Sequence, residues 1–189
     1  GQFRNTALGH SLERIYKANG YKVITENYIG DWGTQFGKIA LAYKTYGDKN
    51  PFELYTQITK DIDADPQLEE EARKLTKQLE SGDPELTKLW EKFRADSLRD
   101  FKKIYEMLDV SFDIEHGESF YHKFVDEAIN EAIKKGIAVQ EPNGPVVINL
   151  EKFGLASYLL RKSDGASLYS ARDLAAAKWR LKEYNPDQL

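Results

Sequence analysis

The sequence predicts an α/β fold whose sheet-forming stretches are separated by a long, mainly helical insertion. Three observations lead there. β-Prone runs stand towards both ends of the chain, at Tyr21–Ile29 and again from Pro145 to Leu150. Between them, apolar residues recur at helical rather than alternating spacing. A helix, a β-prone run, a glycine-rich turn and a second helix also follow one another near the N-terminus, which is the order of one α/β layer. On this pattern, residues 1–47 form the first part of the α/β layer, 48–145 the helical insertion and 146–189 the return to the layer.

The elements can be justified in turn. Leu8, Leu12, Ile15 and Tyr16 mark a helix from about Thr6 to Ala18, stopped by Asn19-Gly20. Tyr21–Ile29 reads as a strand that should pair in parallel with chain beyond the insertion, and a helix should cover Thr34 to Tyr46. Asp65-Pro66 and Asp83-Pro84 each join an N-cap residue to a proline suited to the first helical position. The first opens a polar helix reaching Glu80. The second opens a long stripe of Leu86, Leu89, Trp90, Phe93, Ser97, Phe101, Ile104, Tyr105 and Leu108, whose apolar face is expected to pack in a core. A further helix runs from about Lys123 to Lys135 and stops at Gly136. Ser157–Arg161 and Ser167–Tyr169 then flank Asp164-Gly165, a strong hairpin signal, before a last helix from about Arg172 to Tyr184.

Composition excludes several classes. Of 189 residues, 41% are hydrophobic and 31% charged, the balance of a globular chain rather than a disordered one. No apolar run approaches the roughly 20 residues that span a bilayer, so no membrane partner is expected, and the opening residues lack a secretory apolar core. There is no cysteine, which fits a reducing cytoplasm. His10, His116 and His122 show no metal-ligand spacing, so no protein-held metal is expected. A net charge of −4 speaks against a general nucleic-acid binder, whose charge is normally basic. Any RNA contact should be local. Without an initiating Met, and with Met107 as the one methionine, the sequence reads as a segment of a longer protein.

Two strings carry chemistry. Gly30-Asp31-Trp32-Gly33-Thr34-Gln35-Phe36-Gly37 sets three glycines at the end of a β-prone run and before a helix. Glycines there allow close approach of a ligand, and the next helix offers unpaired N–H groups to an anion; a tight structural turn accounts for the same composition. Asp164-Gly165-Ala166-Ser167-Leu168-Tyr169-Ser170-Ala171-Arg172-Asp173 ends with Ser170 and Asp173 three apart, which is also the spacing of a helix-capping box.

Both strings resemble signatures of the arginyl-tRNA synthetases: Gly-Asp-Trp-Gly-x-Gln-Phe-Gly and Asp-Gly-x-x-x-Tyr-x-x-Arg-Asp. Gly1-Gln2-Phe3-Arg4-Asn5-Thr6 resembles the end of the family's His-x-Gly-His motif, with Gln2 where the second histidine is expected. Gly117-Glu118-Ser119 resembles a Gly-Glu-Ser of the family's insertion. The resemblance implies a partial Rossmann-type class I catalytic domain interrupted by a helical connective insertion. It implies ATP-dependent activation of arginine and transfer to its tRNA, with ATP and Mg²⁺ entering as a substrate complex and no tightly bound cofactor.

It further implies that Tyr169 and Asp173 hold the substrate guanidinium, with Glu118 and Gln2 beside it. Gly1, Gly30, Asp31 and Gly33 would lie on the ATP side, and Gln2 at the position of a catalytic histidine. A carboxylate suits a guanidinium because the planar fork meets it with two parallel charge-assisted bonds, and a tyrosine can accept one bond and cover the cation. The family's first signature histidine and its Lys-Met-Ser-Lys-Ser loop are not in the sequence, so the isolated chain is expected to be inactive; a monomer is expected, with tRNA met mainly through domains the chain does not carry. The alternative is a non-catalytic helical interaction module derived from a synthetase.

Overall fold

A computed structural model describes residues 3–189, so Gly1 and Gln2 lie outside the described residues. The chain divides into two compact units, Gly1–Glu115 and His116–Leu189.

In the first unit, α1 (Phe3–Ala18) precedes an irregular stretch that reaches Gly33. It is followed by α2 (Thr34–Tyr46), α3 (Pro51–Ala64), α4 (Gln67–Glu80) and α5 (Pro84–Met107). The local grammar of these helices is legible residue by residue. Asn50 accepts a bond from the Phe52 N–H ahead of Pro51, and Asp83 accepts from the N–H groups of Glu85 and Leu86 ahead of Pro84. Ala42, Leu54, Ile58, Ala72 and Phe93 close the core around α2. Tyr43 meets Phe93 edge to face, with centroids 5.7 Å apart.

Gly37 fixes how closely α2 and α4 cross. It is buried, and a Cβ at this position would stand 2.1 Å from the Ala72 carbonyl oxygen and 2.2 Å from Thr76 Oγ1. Only a hydrogen fits. Gly33, at φ 112°, turns the chain into α2 through backbone space that other residues avoid.

The parallel strand expected at Tyr21–Ile29 does not form. That stretch is irregular and makes one isolated parallel bridge, Glu26 to Ile114. A strand exists only through a neighbour's backbone, and here the neighbouring segment is short. Asp113 Oδ2 accepts from the Thr25 N–H at 2.8 Å and from its hydroxyl at 2.9 Å, so side chains complete what ladder bonds do not. The long stripe on α5 is only half a core. Leu86 and Phe93 are buried, and Leu89 and Trp90 pack beside them, but Phe101 and Ile104 are exposed. On α1, Leu8, Leu12 and Ile15 are likewise exposed.

The second unit holds α6 (Glu118–His122), α7 (Val125–Lys134), β1 (Val139–Gln140), β2 (Val146–Ile148), β3 (Tyr158–Arg161) and α8 (Tyr169–Tyr184). The sheet has the order β1-β2-β3 and is antiparallel throughout. Val146 and Leu160 turn into the core, where Ile129 of α7 and Ala171 and Ala175 of α8 meet them. The turn expected at Asp164-Gly165 is present, with Gly165 N–H bonded to the Lys162 carbonyl. Its far arm is not a strand, however. After one bridge between Arg161 and Ser167 the chain enters α8, so Tyr169 is helical.

The Gly37 crossing is directly testable. Gly37→Ala should lower stability by about 2 kcal/mol or more in chemical denaturation, the scale of overpacking a tight core. Adding Thr76→Ala should not restore it, because the Ala72 carbonyl remains. An unchanged midpoint for Gly37→Ala would show that the helices do not need this close approach.

Candidate functional site

The first turn of α8 brings together two of the residues singled out in the sequence, Tyr169 and Asp173. With α8 opening at Tyr169, Tyr169 and Asp173 stand at positions i and i+4 of one helix and share a face. Both are exposed, Tyr169 at 62%. At about 100° per residue, Ser170 and Arg172 fall on either flank of that face, and both are buried. The Ser170 hydroxyl donates to the Leu159 carbonyl of β3, and Arg172 Nε donates to Glu118 Oε2 at 2.5 Å.

Ser170 therefore lies inside the helix and ties it to the sheet, whereas Leu168 occupies the N-cap without a side-chain bond. The capping-box reading of Ser170 and Asp173 does not describe this turn. Tyr158 at the start of β3 also belongs to the neighbourhood. Burial, then the Asp173 carboxylate and Tyr169, push its hydroxyl above the usual tyrosine range.

Behind this turn, α8 is clamped along its length. Trp179 lies edge-on to Phe120 and Tyr121 of α6, at 5.0 and 5.6 Å between centroids. Tyr121 is fully buried, and the Arg180 guanidinium stands 5.2 Å from its ring centroid. Lys178 reaches from α8 to Glu127 at 2.7 Å and to Glu131 at 2.6 Å, both on α7.

In the first unit, the glycine-rich string has partners of its own. Gly30 is exposed and Asp31 is buried. Asp31 Oδ2 accepts from Arg94 Nε of α5 at 2.7 Å, and its carbonyl accepts from Trp90 Nε1 at 2.7 Å. Trp32 packs edge to face on Trp90 at 5.4 Å. The structure thus brings Glu118 to the turn that bears Tyr169 and Asp173, and it sets Asp31 against Arg94. Sequence reasoning missed Arg172, Ser170, Tyr158 and Arg94, because each acts through a partner remote in the chain.

The sequence profile of the family described as "tRNA synthetases class I (R), catalytic domain" matches residues 1–189. The chain belongs to this family. The arginine–tRNA ligase of Clostridium perfringens is 43% identical over 197 residues, covering 100% of this chain and 35% of that protein. The arginine–tRNA ligase of Streptococcus suis strain 05ZYH33 is 42% identical over 194 residues, covering 98% and 34%. The chain therefore spans about a third of the length of the curated relatives it matches.

Among solved structures, arginyl-tRNA synthetase from Plasmodium falciparum superposes with a TM-score of 0.83 at 26% identity, over 98% of this chain and 32% of that one. The Thermus thermophilus enzyme gives 0.69 at 22% identity, over 94% and 32%, a likeness of fold alone.

The clamp on α8 gives a pH signature. Glu131 bonds to Lys135 and Lys178 and is held at about 2 against its ordinary value of 4.5. A depressed carboxyl contributes stability that is complete above its unfolded pKa and lost as pH falls through its folded one. Glu131→Gln should therefore be less stable than the unmodified chain at neutral pH and converge on it between pH 4.5 and about 2. A gap in melting temperature that stays constant across that window would contradict the assignment.

Proposed function

We propose that this chain supplies the arginine-recognition part of an arginine–tRNA ligase, which activates arginine with ATP and transfers it to tRNA(Arg). The supporting observation is the exposed Tyr169–Asp173 face, set between two buried polar anchors at the start of α8. An exposed carboxylate and a phenol one helical turn apart offer a guanidinium two parallel charge-assisted bonds and a ring. A site built to pair a polar group rejects substrates that cannot complete the pairing, and lysine presents no planar fork.

In this reading, residues 1–47 and 146–189 belong to the Rossmann-type catalytic layer, and 48–145 is the connective insertion. The arginine carboxylate attacks the α-phosphate of ATP, forming arginyl-adenylate and releasing pyrophosphate. Gly1, Gly30 and Gly33 line the nucleotide side, and Asp31, which the sequence reading set there with them, is buried against Arg94 and supports their turn instead. Gln2 occupies the position of a catalytic histidine, and an amide there could donate a hydrogen bond to the reacting phosphate without carrying charge. Mg²⁺ arrives with ATP, and no side chain of this chain is assigned to it. Transfer RNA is bound mainly by other parts of the full-length protein, which works as a cytoplasmic monomer.

Asp173→Asn tests the reading in the full-length protein. It keeps the size of the side chain and removes the charge that faces the guanidinium. Loss of one partner of a desolvated charge pair costs roughly 2–5 kcal/mol, so arginine affinity should fall at least about thirtyfold while the melting temperature changes little. Unchanged arginine binding with a sharply lower melting temperature would make Asp173 a structural residue and move the site elsewhere.

A further inference from the structure

A guanidinium carries five N–H donors, more than one carboxylate and one phenol can meet. The fold decides which flank of the Tyr169–Asp173 face offers a further acceptor. At about 100° per residue, Asp173 leans towards Ser170, three positions before it, and away from Arg172. Ser170 is the residue that ties α8 to β3, through the Leu159 carbonyl. The Leu168 N–H also bonds to the Leu160 carbonyl, at 3.1 Å, so the opening of α8 is docked on β3 from two sides.

Side chains alternate along a strand, and Leu160 is fully buried in the core that holds Ala171 and Ala175 of α8. Tyr158, two residues earlier, therefore leaves the same face of the sheet. Its partner on β2 is Ile148, which packs against that core as well. Yet Tyr158 is 36% exposed, so the cover over this face ends between Leu160 and Tyr158. The phenol emerges beside the first turn of α8, on the flank towards which Asp173 leans. Its environment agrees with that placement, since burial, then the Asp173 carboxylate and Tyr169, hold its hydroxyl above the usual tyrosine range.

We propose that Tyr158 is a further arginine-binding residue, whose hydroxyl oxygen accepts a guanidinium N–H from the β3 side of the Asp173 carboxylate. The inference rests on the reading of Tyr169 and Asp173 as the arginine site and extends it to a third side chain. Two phenols then flank one carboxylate, Tyr169 from the same helical face and Tyr158 from the strand. A neutral phenol adds an acceptor and an aromatic edge without adding charge, and it rewards a planar group with several donors over a single ammonium. Tyr158 thereby acts on specificity as well as on affinity.

The test compares the arginine KM, the ATP KM and the melting temperature of the full-length protein and two variants, Tyr158→Phe and Asp173→Asn, in tRNA aminoacylation. Tyr158→Phe removes one oxygen atom from a partly exposed side chain and keeps the ring, so the protein should fold. The arginine KM should rise about tenfold, the low end of what a hydrogen bond to a charged group contributes, with the ATP KM and the melting temperature little changed. If Tyr158→Phe leaves the arginine KM unchanged while Asp173→Asn raises it, the hydroxyl does not touch the substrate and the inference is wrong. It is equally wrong if the arginine and ATP KM rise together, or if the arginine KM rises only with a sharp fall in melting temperature, because Tyr158 then supports the fold. If Asp173→Asn itself leaves the arginine KM unchanged, the site reading fails, and this inference falls with it.

Discussion

The contact between Arg172 and Glu118 sets the geometry on which the candidate site depends. A guanidinium and a carboxylate both removed from most of their water, 2.5 Å apart, tolerate little rotation about the helix axis. Because they join α6 to the opening of α8, they fix the direction in which the next residue, Asp173, projects. Ser170 does the same on the other flank by bonding to the Leu159 carbonyl of β3. Between these two anchors, Tyr169 and Asp173 lie on the exposed face of the turn. Preorganisation of this kind matters because recognition of a planar, permanently charged group depends on angle as much as on charge.

The glycine-rich string follows a related logic with different chemistry. The string resembles a family signature, yet three of its residues have internal work. Asp31 receives Arg94 and Trp90, Trp32 lies on Trp90, and Gly37 lets α2 and α4 touch. A motif read as a ligand cradle is thus also what ties the loop before α2 to the helical stretch after it. The nucleotide role proposed for Gly30 and Gly33 rests on a turn that Asp31 holds in shape from behind.

How much of this was legible depends on the range over which each interaction acts. Local signals were readable: α2 was expected at Thr34–Tyr46 and forms there, and Asp83-Pro84 opens α5 as its cap chemistry requires. Asn50-Pro51 carries the same signal and opens α3, a helix the sequence reading left unresolved. Signals that need a distant neighbour were not readable. Tyr21–Ile29 has the composition of a strand but pairs briefly, through Thr25 and Asn27 to Asp113 and Ile114, and the α1 stripe names an apolar face without naming what covers it. Within the site, Tyr169 and Asp173 were visible as a motif. Their placement on one helical face was not, because the hairpin signal predicted a strand over Ser167–Tyr169 and a helix from about Arg172, whereas the chain makes one bridge at Ser167 and is helical from Tyr169. The Glu118–Arg172 pair, 54 residues apart, leaves no periodic trace at all.

The most direct measurement is a crystal structure of the full-length protein with arginine bound. The guanidinium should lie within hydrogen-bond distance of the Asp173 carboxylate and the Tyr169 hydroxyl, with Arg172 still paired to Glu118. A guanidinium held by other residues, with Asp173 facing solvent, would contradict the account at its centre.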